Sequence, residues 1–97
     1  MLRVVYRPEA ETELLDGVSY YGSEDPSQGD DFLLTIHHYI LEIAAHPMRF
    51  PKAGGEIRRC VVRKYPFVIF YRARKDHVNI LAIAHTSRHP DYWKGRT

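Results

Sequence analysis

Hydrophobic positions recur with two different periods along the chain, and the change falls near its midpoint. The first apolar run, Leu2–Tyr6, is β-branched and aromatic and predicts a strand. After Pro8, the residues Ala10, Leu14, Val18 and Tyr21 follow at three- to four-residue steps, with Leu15 widening the stripe. That spacing predicts an amphipathic helix. Pro8 suits the first helical position, and Glu9, Glu11 and Glu13 suit the positive helix N-terminus. Gly22 and the polar stretch after it end this helix. Asp25 and Pro26 fit the N-cap and N1 positions of a second, which runs to about Ala45. Its predicted buried stripe is Phe32, Ile36, Ile40 and Ile43, joined by Leu33 and Ala44. Pro47 stops it, and the short linker predicts an antiparallel helical hairpin.

Beyond Pro51 and Gly54-Gly55 the period shortens to two. "EIRRCVV", "FVIFYRA" and "HVNILAIAH" read as three strands joined by short connectors, which predicts an antiparallel meander. On the first of them, Arg59, Val61 and Arg63 should share one face, and Arg58, Cys60 and Val62 the other. On the last, Val78, Ile80, Ala82 and Ala84 should alternate with Asn79, Leu81, Ile83 and His85. Both sets are largely apolar, as in the interior of a sheet. The chain therefore predicts one α+β domain over residues 1–97. It comprises an N-terminal strand, an antiparallel helical hairpin and a three-strand antiparallel meander, with the helices packed on one face of a small twisted sheet.

Composition narrows the setting. A hydrophobic share of 44% and a charged share of 27% are globular values and exclude wholesale disorder. The single cysteine, Cys60, excludes an internal disulfide framework and fits a reducing cytoplasm. The N-terminus lacks the apolar core of a secretory signal, and no run approaches a membrane span, so a soluble cytoplasmic protein without membrane contact is expected.

Charge changes the picture more. Residues 1–48 hold two basic and nine acidic side chains, whereas residues 49–97 hold twelve basic and three acidic ones. A net charge of +2 thus hides an acidic half and a basic half. The meander can gather Arg58, Arg59, Arg63, Arg72, Arg88 and Arg96, with Tyr92 and Trp93, into a surface for a polyanion or an acidic protein segment.

Three chemistries are candidates in that half. Metal binding is disfavoured: His85 and His89 are four apart but straddle a strand end before Pro90, and His37-His38 are adjacent on a helix. Neither a metal nor a cofactor is expected. Cys60 lies inside a strand and reads as a buried structural cysteine. Metal-free RNA cleavage needs proton-transfer groups and cations for the developing phosphorane charge. His85 and Tyr92, with Arg59 and Arg88, are the residue types that would supply them.

Taken together, "RPEAETELLDGVSYY", the helix entry from Pro26 and Ser27 to Phe32, the helix exit at His46-Pro47, "IRRCVVRKYPFVIFYRA" and "HTSRHPDYW" resemble the ParE/RelE superfamily. These are toxins of bacterial type II toxin–antitoxin modules. The resemblance spans nearly the whole chain and implies the same helical hairpin on an antiparallel sheet. It also implies a cognate antitoxin with an acidic or amphipathic C-terminal segment that wraps the toxin.

The superfamily implies two activities. RelE-like members cut mRNA on the ribosome without a metal, and ParE-like members poison DNA gyrase with no established hydrolytic site. The RelE-like pattern places lysines near Arg59 and Val61, an arginine near Val68, an arginine near Thr86 and a tyrosine at Tyr92. Only Tyr92 matches directly, and Arg88 stands two residues beyond Thr86. The reading favoured is therefore a ParE-like, non-hydrolytic toxin that acts on gyrase. The alternatives are a RelE-like mRNase carried by Arg59, His85, Arg88 and Tyr92, and an inactive homologue that only binds antitoxin.

Overall fold

The computed structural model describes residues 1–96. Strand β1 (Arg3–Tyr6) leads into helices α1 (Pro8–Gly22) and α2 (Pro26–Ala45). Strands β2 (Lys52–Gly54), β3 (Ile57–Val62), β4 (Phe67–Ala73) and β5 (His77–His85) follow. The sheet order is β1-β5-β4-β3-β2. β3, β4 and β5 form the expected antiparallel meander. β1 adds at one edge, parallel to β5, and β2 at the other, antiparallel to β3.

Both helices begin as their N-terminal residues predict. Pro8 opens α1, with Glu9 and Glu11 in its first turn. The Asp25 carboxylate accepts from the Ser27 N–H at 3.0 Å and caps α2. The hairpin is tight at its turn. A Cβ on Gly29 would lie 2.7 Å from the Val18 carbonyl oxygen, so only glycine permits this helix spacing.

Phe32, Ile36, Ile40 and Ile43 of α2 bury against Cys60, Val62, Ile69, Tyr71, Val78, Ile80 and Ile83 on one face of the sheet. Leu15 and Leu33, expected to join the helical stripes, point to solvent instead, 58% and 40% exposed. Each lies about 100° around its helix from a neighbour that packs on the core, the partly buried Leu14 or the buried Phe32, which turns it outside the packed face.

Two further features of the sheet depart from the sequence expectation. β2 is short, with no β-branched residue to signal it, and it forms because Gly55 adopts φ 55° and turns the chain back onto β3. The strict alternation expected along β5 is broken by a bulge at Leu81. Phe70 pairs with Ala82 but Tyr71 with Ile80, leaving Leu81 as an extra residue. Ile83 consequently joins Val78 and Ile80 under the helices, while Leu81, Ala82 and Ala84 belong to a second cluster with Ile57 and Phe70. The segment after β5 folds over that cluster and seals it with Trp93, which is 6% exposed.

Candidate partner-binding site

The sheet face away from the helices carries Arg59, with Lys52 and Arg88 beside it. A groove of ≈ 490 Å³ lies between β2, β3 and the turn after β5. Its floor is apolar, from Val61, Val68, Phe70 and Ala84, and its rim carries Lys52, Arg59, His85, Arg88 and His89. Among the described residues no carboxylate lines it. Because β3 alternates, Arg59 and Val61 reach this groove while Cys60 and Val62 enter the core.

Sequence-predicted residues divide between this surface and the interior. Arg59 and Arg88 stand at the groove rim. Arg63 is exposed just beyond β3. Arg72 lies in a neighbouring hollow with Lys94, Glu56 and Asp91. Three expected contact residues are turned inward. Arg58 projects to the helix side and donates from Nη1 to the Phe50 carbonyl at 2.7 Å. Trp93 is buried against Phe70, with ring centroids 6.3 Å apart. Arg96 is 14% exposed and pairs with Glu13 at 3.0 Å. The turning back of the tail accounts for the last two, and nothing local in the sequence signals it.

His85, Arg88 and Tyr92 do come together, around a second groove of ≈ 570 Å³ between α1 and the tail. The Arg88 guanidinium sits 5.2 Å from the centroid of the Tyr92 ring and that of Arg96 lies 4.5 Å from it. His85 Nδ1 accepts from the Ser87 N–H at 3.0 Å, which leaves Nε2 to carry the proton of the neutral ring. His85 and Arg88 thus line both grooves, whereas Arg59 lines only the first. The positions at which the RNase pattern asks for further cations, Val61, Val68 and Thr86, all fall in the first groove.

Cys60 is buried, and burial pushes its thiol up to about 11, which fits a structural role. Among the described residues no cluster of three or more His, Cys, Asp or Glu side chains is placed to hold a metal ion. None of the described helices is long and apolar enough to cross a membrane.

Glu13, expected only to favour the N-terminus of α1, lies past its first turn and takes another part. Its Oε1 accepts from the Ile83 N–H and from Arg96 Nη1, both at 3.0 Å, and so ties α1, β5 and the tail at one atom. The available signal is a carboxylate flanking Leu14 between Ala10 and Gly17, on the buried side of an amphipathic helix.

A family model described as the ParE toxin of type II toxin–antitoxin system, parDE, matches residues 4–90. No curated protein matches the chain. Among solved structures, one titled as the chromosomal ParDE toxin–antitoxin system from P. aeruginosa is similar, with a TM-score of 0.76 and 16% identity. The match covers 88% of this chain and 96% of that one, and at this identity it is a likeness of fold.

Proposed function

The chain belongs to the ParE toxin family of type II toxin–antitoxin systems, and from that premise we propose that it arrests growth in the cytoplasm by acting on DNA gyrase, without hydrolytic chemistry of its own. The observation that carries this reading is the composition of the first groove. Where RNA cleavage would need fixed cations against the phosphorane, Val61 and Val68 present hydrocarbon and Thr86 a neutral hydroxyl. A cationic rim over an apolar floor suits binding an acidic, amphipathic protein segment better than charge stabilisation at a reacting phosphate. The cognate antitoxin is the partner that this chemistry fits, and its bound segment neutralises the toxin.

Purified toxin should inhibit gyrase supercoiling or trap cleaved DNA while translation extracts continue unaffected. Gyrase left untouched at doses that arrest growth would refute the proposal. The second reading, a ribosome-dependent mRNase, is favoured by one observation, the convergence of His85, Arg88 and Tyr92 on one groove. Codon-linked mRNA 3′ ends after induction, weakened by Tyr92→Phe, would establish it. Harmless overexpression without antitoxin would instead identify an inactive homologue that serves as a binding partner.

A further inference from the structure

The outer side of the helical hairpin is apolar and acidic at once. Leu34 and Leu41 of α2 are 67% and 38% exposed and, seven residues apart, share one face. Asp30, one turn before Leu34, stands on that face too, with no ion pair among the described residues. Residues 8–48 contain nine carboxylates and neither lysine nor arginine, so the hairpin repels nucleic acid and favours a cationic partner.

A surface of the matching kind is present on the same chain. The first groove sets the exposed cations Lys52, Arg59 and Arg88 around a floor whose accessible part is Val61, 49% exposed, beside Val68. The dimensions agree. Leu34 and Leu41 lie about 10 Å apart along the helix, and β5 lies two strand spacings, also about 10 Å, from β3. With Leu34 seated on Val61, Leu41 reaches the rim at His85 and Arg88, and Asp30 comes beside Lys52 and Arg59.

We propose that two copies of this chain associate head to tail, the α2 face of one seated in the basic groove of the next, with Asp30 paired to Arg59 across the contact. The helices and the groove lie on opposite faces of the sheet, so the contact does not close at two copies. Each added copy presents a fresh groove. One helix face on one groove is a contact of transient size, below about 1,200 Å² in total, so association is weak and reversible. Stacking covers the groove assigned above to an acidic segment, and the two occupants exclude each other. The stacking itself does not rest on that assignment.

Sedimentation of the free protein tests it. At low salt the average mass should rise about twofold or more between about 10 and 500 μM, and the rise should vanish in about 1 M salt. Asp30→Arg and Arg59→Glu should each abolish it. Both changes in one chain should restore it, because every contact then pairs the exchanged charges. The sharpest readout is a mixture of Leu34→Ser/Leu41→Ser, which keeps the groove, with Arg59→Glu, which keeps the helix face. Each alone should stay monomeric, and together they should form a one-to-one pair and nothing larger. All these positions are exposed, and unchanged circular dichroism separates lost association from lost folding. A discrete dimer that survives Arg59→Glu would place the contact elsewhere and overturn the proposal. Mass that stays at that of one chain at every concentration would overturn it as well.

Discussion

Replacing Glu13 by alanine should cost this fold far more than an ordinary surface change. One carboxylate oxygen serves the Ile83 N–H and the Arg96 guanidinium, in side chains only 15% and 14% exposed. Removing it strands a buried amide, at about 1–3 kcal/mol. It also leaves a largely buried cation unpaired, for which losses of about 3–5 kcal/mol are typical. The two costs share one atom, and Arg96 keeps its bond to the Leu81 carbonyl at 3.2 Å, so they overlap. A combined loss of about 3 kcal/mol is the working figure. In a domain of this size each kcal/mol lowers Tm by about 4–8 °C, so calorimetry should record a fall on the order of 15 °C. Glu13→Gln keeps an acceptor for Ile83 and should lose roughly half as much. In a double-mutant cycle Arg96→Ala should cost less in the Glu13→Ala background than in the wild type, with a coupling of about 1–2 kcal/mol. A fall in Tm below about 3 °C for Glu13→Ala, or strict additivity with Arg96→Ala, would show that the atom does not tie the three elements together.

Three further outcomes follow from the packing and the charges. Gly29→Ala should destabilise by about 1–3 kcal/mol in a thermal melt, because its Cβ would meet the Val18 carbonyl oxygen 2.7 Å away and force the helices apart. Asp31 accepts hydrogen bonds from Lys64 and Tyr65, which hold its carboxyl below the ordinary 3.8. A carboxyl depressed on folding stabilises above its unfolded pKa, and that contribution disappears as pH falls through the folded value. NMR titration should place the Asp31 carboxyl below the ordinary 3.8, and Lys64→Met should raise it. Cys60, buried with its thiol pushed up to about 11, should react with a disulfide reagent at pH 8 only as fast as the protein opens.

How much of this was legible in the chain depended on the range of the interactions involved. Both helices were legible because caps and apolar spacing are local: Pro8, Asp25 and Pro26 start them where the residues predict. The meander was legible because its connectors are short. β2 was not, because Lys52–Gly54 gains its strand geometry from pairing with β3 and not from its own side chains. Placing Arg58 opposite Arg59 followed from alternation alone, but its bond to the Phe50 carbonyl required the loop before β2 to be in place. The inward placement of Trp93 and Arg96 was hidden for the same reason. An aromatic and a cation in a polar tail read as a contact surface, and only the fold-back of that tail against the sheet and α1 turns them inward.

The bulge at Leu81 connects these displacements. With regular alternation, Leu81 and Ile83 would have shared a face, and β5 would have offered the helix-free side only asparagine, two large aliphatics and a histidine. The extra residue sends Ile83 under the helices and sets Ala82 and Ala84 beside Leu81 on the opposite face. Small side chains there leave space for the tail to lie over the sheet, so that Trp93 closes the second cluster and Arg96 reaches the Leu81 carbonyl that the bulge turns outward. The same displacement puts Ala84 on the floor of the basic groove and His85 at the rim it shares with the groove beside α1. One inserted residue therefore sets the covered face and the ridge between the two candidate contact surfaces. A period-two reading of "HVNILAIAH" cannot reveal either, since the sequence marks neither which residue is extra nor that one is.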